Sequence, residues 1–450
     1  MKNLKRLASL CIALALVLSI AGVNYFFTDA RADSYDQAKV NKFTDIGNHW
    51  GKNSLANLIG YGYMYGTTPT TAAPDEKLTT AQLVTLLVRI MGGAEEADLS
   101  GYVDMDKGAW HYTYFAQGLN MGIVPNTNSN YLNPNQPSSR EYAAYMLCRA
   151  FGLTVREPLD DYNDADKVSD WAVSSMQAMV AAKAITGSNG GNATRNLNPQ
   201  ETITRAEFAE MVYRLCKNFV QSSDSATIRG GTIDGGVLVS KSGAKFNGTT
   251  IKGNVYISDA VGTGDVTFED VKVEGNIYVR GSGERSVHLE GETTANSVVF
   301  LNPYNATRLV VEDEAKINGV LINNGVDEVT LEGKVGNVTM NVSDVDLTLE
   351  KAEATNVVIN SANSVVSLEE DSVVETLSIA SSSSGVTVNS EGKLNRLALM
   401  ANNAKLNLDG TLDYLLIGAV NKLDLELSKD IVLGALDLHC SDSTIKVDSE

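Results

Sequence analysis

The residues best placed to do chemistry are Thr204-Arg205-Ala206-Glu207. They open an amphipathic stretch from Phe208 to Leu215, and their order suits a helix start. Thr204 can accept from the amide of Glu207 while the Glu207 carboxylate accepts from the amide of Thr204, a reciprocal capping box. Arg205 then falls in the first turn, with its guanidinium expected to point away from the apolar face. A planar fork at the positive end of a helix dipole suits a carboxylate ligand. A single such stretch is equally what a well-capped surface helix looks like, so the weight rests on whether it recurs.

It does recur, in altered form. Phe43-Thr44-Asp45 precedes His49-Trp50, Tyr102-Val103-Asp104 precedes Ala109-Trp110, and Tyr162-Asn163-Asp164 precedes Asp170-Trp171. The tryptophans are 60 and 61 residues apart, which marks an internal repeat. Each block continues into a helical stretch, breaks in a Gly, Asn and Pro-rich loop such as Gly187 to Asn192, and resumes as a second capped helix. One helix pair cannot bury its own apolar stripes, so neighbouring units must pack on one another. Aligned on Arg214 and Arg149, the second copy of the opening phrase reads Ser139-Arg140-Glu141-Tyr142. It keeps the arginine and loses the terminal Glu, although Ser138 and Glu141 could form a box one residue earlier. Aligned on Arg89, the first copy reads Thr79-Thr80-Ala81-Gln82, with a cap through Thr79 and Gln82 but Thr80 in place of the arginine.

These features resemble the S-layer homology domains of bacterial surface proteins. The resemblance rests on the aromatic-x-Asp opening, the Trp that follows, the Gly-rich loop with its Asn-Pro, and Thr-Arg-Ala-Glu, and it covers about residues 43–220. It implies a three-lobed helical domain that binds secondary cell-wall polysaccharide, often pyruvylated, in grooves between lobes, with the arginine gripping the anionic sugar. On that basis Arg205 and Arg140 are expected to bind ligand, and the site at Thr80 to be weak or structural. Trp50, Trp110 and Trp171 are candidates for sugar stacking, against the simpler expectation that a repeated large aromatic forms the interior. Asp45, Asp104 and Asp164 are expected to be turn or cap residues, beside Thr204, Glu207, Thr79, Gln82 and Ser139.

The elements around these residues bound the rest. Lys2, Lys5 and Arg6 followed by an apolar run from Leu7 to Val23, with Ala30-Arg31-Ala32 as a cleavage site, read as a secretory signal over residues 1–32, with an uncleaved anchor as the competing reading. Leu10-Cys11 makes a poor lipobox. A lead at 33–42 follows, then repeats at 43–97, 98–156 and 157–220. No transmembrane span is expected in the mature chain. The net charge of −19 in 450 residues disfavours nucleic acid and anionic lipid as partners. Cys148, Cys216 and Cys440 are too few and too dispersed for a disulfide framework. No cofactor or metal is expected; the acidic run from Asp160 to Asp166 lacks the glycine of a calcium loop.

After a polar link at 221–230 the composition changes. Val, Ile, Thr, Asn and Gly rise and apolar residues alternate with period two. One column runs through Val237, Val255, Ile277, Val298, Val320, Val338, Val357, Leu377, Leu397, Leu415 and Leu436, with starts 18 to 22 residues apart. A second runs through Val266, Val287, Leu309, Val329, Leu347, Val366, Val386, Leu406, Leu425 and Ile445, and single apolar residues such as Ile233 and Ile251 suggest a third side. The fold class is therefore multidomain, α plus all-β. Three helix-loop-helix repeats form a three-lobed domain, and a right-handed parallel β-helix follows over 231–450, a rod about 50 Å long at ~4.8 Å per coil. Asn254, Asn276, Asn337 and Asn356 are expected to form partial ladders. The chain reaches Ser449-Glu450 directly after a strand, which leaves open an assembly end or a longer natural protein.

The outward middle residues of the first column, Leu238, Tyr256, Tyr278 and Leu321 among them, form an apolar stripe on an otherwise polar rod. It is expected to meet a partner, through side-by-side self-association or a glycan surface, unless a peripheral loop or the link covers it. Many such rods degrade polysaccharides, but here His288 and His439 stand alone and the acids scatter over turns. No catalytic residue is assigned. The expectation is a secreted, wall-anchored surface protein with a structural, adhesive or assembly role, with a wall-tethered polysaccharide lyase or hydrolase as the alternative.

Overall fold

The computed structural model describes residues 35–125, 129–189, 195–221, 227–283, 287–301, 306–323 and 328–447. The expected secretory segment, most of the link, the tip of the third repeat's Gly-rich loop and the residues Ser449-Glu450 lie outside the described residues. Among the described residues no helix is long and apolar enough to cross a membrane.

The helical part comprises α1 (Gln37–Asn41), α2 (Lys52–Gly60), α3 (Thr80–Met91), α4 (Tyr112–Asn120), α5 (Arg140–Phe151), α6 (Val173–Ala181) and α7 (Arg205–Leu215). Helices α3 and α7 begin with reciprocal boxes, Thr79 with Gln82 and Thr204 with Glu207. Ser139 caps α5 through the Tyr142 amide alone, because the third helical residue there is a tyrosine. The alternative box of Ser138 with Glu141 does not form. Glu141 instead reaches the third repeat, accepting from the Ser169 amide (3.0 Å) and hydroxyl (2.7 Å) and from Gln200 Nε2 (2.8 Å). Helices α3 and α5 stop at Gly92 and Gly152, both left-handed, a conformation that a β-carbon disfavours.

Each repeat's second helix packs on the first helix of the next: α3 on α4, α5 on α6, and α7 back on α2. The three copies therefore close into a ring. Around its axis, single β-bridges join Lys77 to Thr204, Thr79 to Pro137 and Ser139 to Thr202. The first amides of each second helix donate across this junction, Arg205 to Glu76 O, Thr80 to Gln136 O and Arg140 to Glu201 O. Donors left over at a helix start are thus satisfied by another repeat.

Helix α7 runs through Leu215 and buried Cys216 straight into a parallel β-solenoid. Its ladder takes in Asn218–Val220 and Thr227–Arg229, which pair with Val237–Val239 and with Lys245 to Asn247. The rod therefore begins ahead of residue 231, inside what the sequence assigned to the third repeat and the link. Those residues show too few alternating positions for a strand to be recognised before a second coil is laid on it. The first column is observed in the expected register, Val255 on Ile277, Val298 on Val320, and on to Leu415 on Leu436. In the second, Leu309 pairs with Leu331 and Val366 with Val388. Both pairings are two residues on from the alignment read in the sequence. A shift of two keeps the same side chains inward, so period-two alternation cannot reveal it. The interior is continuous apolar packing, with Phe246 stacked on Phe268 (5.1 Å, 10°). Asn276 N donates to Asn254 Oδ1 (2.9 Å) and Asn356 Nδ2 to Asn337 Oδ1 (2.8 Å), so the ladders are partial.

The apolar stripe is covered by the chain's own helical domain, and this corrects the expectation of self-association through it. Leu238, Tyr256, Tyr278 and Val299 are buried within the helical core, and Leu321 packs against its rim. Tyr256 stacks on Tyr278 (5.2 Å, 14°) and meets Phe151 edge-on (4.8 Å, 89°). Arg280, ion-paired with Asp259 (2.7 Å), donates to the carbonyls of Met121 (2.6 Å) and Arg149 (3.3 Å). A partner was expected because the stripe is outward from the coil. Outward from the coil is here inward for the molecule.

Candidate functional site

None of the three aspartate side chains caps a helix; each holds a turn, although Asp164 stands at the N-cap position of a short 3-10 turn. Asp45 accepts from the amides of Ala72 (3.0 Å) and Ala73 (2.7 Å). Asp104 does the same for Leu132 (3.0 Å) and Asn133 (2.7 Å), and Asp164 for Leu197 (2.7 Å) and Asn198 (2.7 Å). Ala73, Asn133 and Asn198 all have φ near +50°, and each precedes a proline. Each carboxylate therefore clasps a strained turn some thirty residues further on, just ahead of the second helix. Burial would raise the Asp45 pKa, but the two amides and nearby Arg205 together hold it below the ordinary value.

The same turns are held from the other side by the residue that opens another repeat's second helix. Arg205 Nε donates to Ala72 O (2.8 Å) and its Nη2 to Tyr65 O. Arg140 Nε donates to Leu197 O (3.1 Å), and its Nη1 pairs with Glu207 (3.1 Å). Arg205 is only 6% exposed, and burial lowers its pKa, opposed by Glu76 and Asp45. This departs from the expectation of an outward guanidinium: ring closure lays the first repeat's turn over the start of α7, and the fork satisfies that turn's carbonyls. At the third equivalent position Thr80 donates through its hydroxyl to Gln136 O (3.3 Å).

The tryptophans are not core. Trp50, Trp110 and Trp171 are 61%, 61% and 51% exposed. Trp171 stands edge-on to Tyr142 and Tyr145 of the preceding repeat (6.2 and 5.5 Å). The interior is built from smaller residues on the helices that follow them, such as Leu55, Leu58, Phe115 and Met176.

Among the described residues, two grooves between lobes bring these side chains together. One, of about 250 Å³, is lined by Trp50 of the first repeat, Arg140 of the second, and Glu207, Glu210 and Arg214 of the third. The other, of about 350 Å³, is lined by Thr80 of the first repeat, Tyr131, Asn133 and Tyr142 of the second, and Trp171 of the third. Arg214 lines the first groove without being among the residues expected at the site. Its Nε donates to Glu210 (2.8 Å) and its Nη1 to Thr186 Oγ1 (2.8 Å). The signal was available, since Arg89, Arg149 and Arg214 each follow the opening position of the second helix by nine residues. The other two are engaged elsewhere, Arg89 between the rings of Tyr65 (4.7 Å) and Tyr114 (5.2 Å), and Arg149 on Gly122 O (2.6 Å).

On the solenoid, Arg308 joins Glu332 and Glu350 across neighbouring coils. Asp313, Lys316, Lys334, Glu353 and Glu375 line a shallow groove on the third side. Among the described residues no three His, Cys, Asp or Glu side chains are grouped to hold a metal ion.

The S-layer homology domain family matches residues 42–84 and 161–209. The chain is similar to the surface-layer 125 kDa protein of Lysinibacillus sphaericus, 29% identical over 181 residues, 40% of this chain and 15% of that protein. It is also similar to the S-layer protein of Bacillus thuringiensis subsp. finitimus, 23% identical over 181 residues, 39% of this chain and 21% of that protein. A third relative is the exoglucanase XynX of Acetivibrio thermocellus, 26% identical over 178 residues, 38% of this chain and 16% of that protein. The chain thus spans about a fifth or less of these relatives' lengths, and its likeness to the glycoside hydrolases runs through the S-layer homology region alone. It is a secreted cell-surface protein in which S-layer homology repeats, of the kind that binds cell-wall polysaccharide, carry a parallel β-solenoid of about 11 turns.

Proposed function

We infer that the chain is held to the cell wall by an anionic, pyruvylated polysaccharide entering the groove of Trp50, Arg140 and Arg214, and that it displays the solenoid as a structural element of the surface. The observation that carries this reading is a tryptophan left 61% exposed beside two guanidinium groups, between lobes of different repeats. An indole face offers a platform to a sugar ring, and the arginines offer a carboxylate planar donors. In this reading Arg140 and Arg214 meet the sugar, while Arg205 braces the ring that shapes the groove. Trp171 occupies the equivalent place in the Thr80 groove.

Pull-down with purified wall polysaccharide tests the assignment. Trp50→Ala combined with Arg214→Ala is expected to reduce binding at least tenfold, with the circular dichroism spectrum unchanged. Retained binding by that folded double variant would refute the groove. Treating the wall to remove its pyruvate ketals should cause a comparable loss with the unmodified chain.

A further inference from the structure

The groove at Thr80 differs from its counterpart at every charged position. Where one groove has Arg140 the other has Thr80, and where one has Glu207 the other has Tyr142. Arg149, the equivalent of Arg214, is turned away to Gly122 O and lies over the Tyr145 ring (5.6 Å). Among the described residues lining the Thr80 groove none carries a charge. A sugar carboxylate would lose water there and gain no cation, a net cost.

The groove is nonetheless open and furnished for a sugar. Trp171 (51% exposed) and Tyr131 (53% exposed) face solvent with Tyr142 beside them. Gln136 and Asn133, joined by a 3.3 Å hydrogen bond, add amides that both donate and accept. Aromatic surface for the apolar face of a pyranose, with amides for its hydroxyls, is the usual make-up of a neutral ligand site. The groove is also the roomier of the two, at about 350 Å³ against about 250 Å³.

We propose that the Thr80 groove binds an uncharged pyranose unit of the wall polymer, while the Arg140 groove takes the charged one. The first repeat's site is then not a decayed copy. The ring reads two chemically different units, and a polymer engages both only where its charged and neutral sugars lie within one chain or on adjacent chains. This rests on the reading of the Arg140 groove as a polysaccharide site.

The test uses the full chain and a matched pair of probes, a methyl N-acetylhexosaminide and the same glycoside bearing a pyruvate ketal, followed by saturation-transfer NMR and titration. Tyr131→Ala is expected to weaken the neutral glycoside at least tenfold and leave the ketal within twofold. Trp50→Ala is expected to do the reverse. Raising NaCl to 1 M should weaken the ketal alone, since screening acts on the charged contact. If the ketal binds at the Trp50 groove but the neutral glycoside does not bind, or binds regardless of Tyr131→Ala, this inference fails and the wall-binding reading stands. If the ketal itself does not bind, the wall-binding reading falls and this inference with it.

Discussion

Arg205→Ala separates a brace from a ligand group. Arg205 makes two charge-assisted hydrogen bonds to carbonyls of another repeat, Ala72 O and Tyr65 O. Each such bond is worth about 1.5–3 kcal/mol, and stranding its acceptor adds to the loss. Deleting the guanidinium also removes the cost of keeping a charge buried, which offsets part of this. The net expectation is a loss of about 2–4 kcal/mol. All three tryptophans lie in the helical ring, so their emission follows its unfolding without interference from the solenoid. With an m-value of about 2 kcal/mol/M in urea, the midpoint should fall by about 1–2 M. Arg140→Ala should shift it less, because one of its two contacts is to Glu207, whose side chain is 28% exposed. An Arg205→Ala variant that unfolds at the parental urea concentration yet no longer binds wall polysaccharide would show that Arg205 touches the sugar, and the bracing argument would be wrong.

Two further outcomes follow from the same geometry. The Asp45 pKa is depressed in the folded chain, so its contribution is present above the unfolded value of about 3.9 and lost as pH falls through the folded value. The urea midpoint of the tryptophan transition should therefore hold level from neutrality to about pH 5 and drop below about pH 4, and Asp45→Asn should flatten part of that drop. Tyr256→Ala removes a buried ring that stacks on Tyr278 and meets Phe151, at a cost of about 3–5 kcal/mol borne by the docking face. Amide exchange should accelerate around Phe151 to Leu153, while the β signal in circular dichroism stays unchanged.

What was legible in the chain was whatever repeats. Capping at Thr79, Ser139 and Thr204 depends on neighbours three residues away, and the first β-column depends on alternation, so both could be read locally. What was not legible depends on contacts between distant segments. The aspartate clasps bridge about thirty residues, and nothing near Asp104 announces Leu132 and Asn133 as its donors. The burial of Arg205 follows from ring closure, which brings Tyr65 and Ala72 to the start of α7. The competing expectation of interior tryptophans rests on size alone and omits the crossing of α7 on α2, which leaves the indole of Trp50 exposed. The outward apolar stripe of Tyr256 and Tyr278 is visible in the sequence, but no local pattern could say that its cover lies in the same chain.

That cover also sets the direction of load. The solenoid is seated side-on: residues from successive coils, Leu238, Tyr256, Tyr278 and Val299, meet the helical ring at the ends of its helices, where Gly92 approaches Ala260 and Gly152 approaches Leu301. The first turns that carry Thr80, Arg140 and Arg205 lie about 17 Å away at the other end of those helices. The rod axis thus runs across the back of the anchor. Beyond Leu321 six more first-column strands overhang by about 29 Å, as a cantilever. A drag force on these coils becomes a torque about the helical ring, with compression on one side of the Tyr256–Tyr278 seat and peeling on the other.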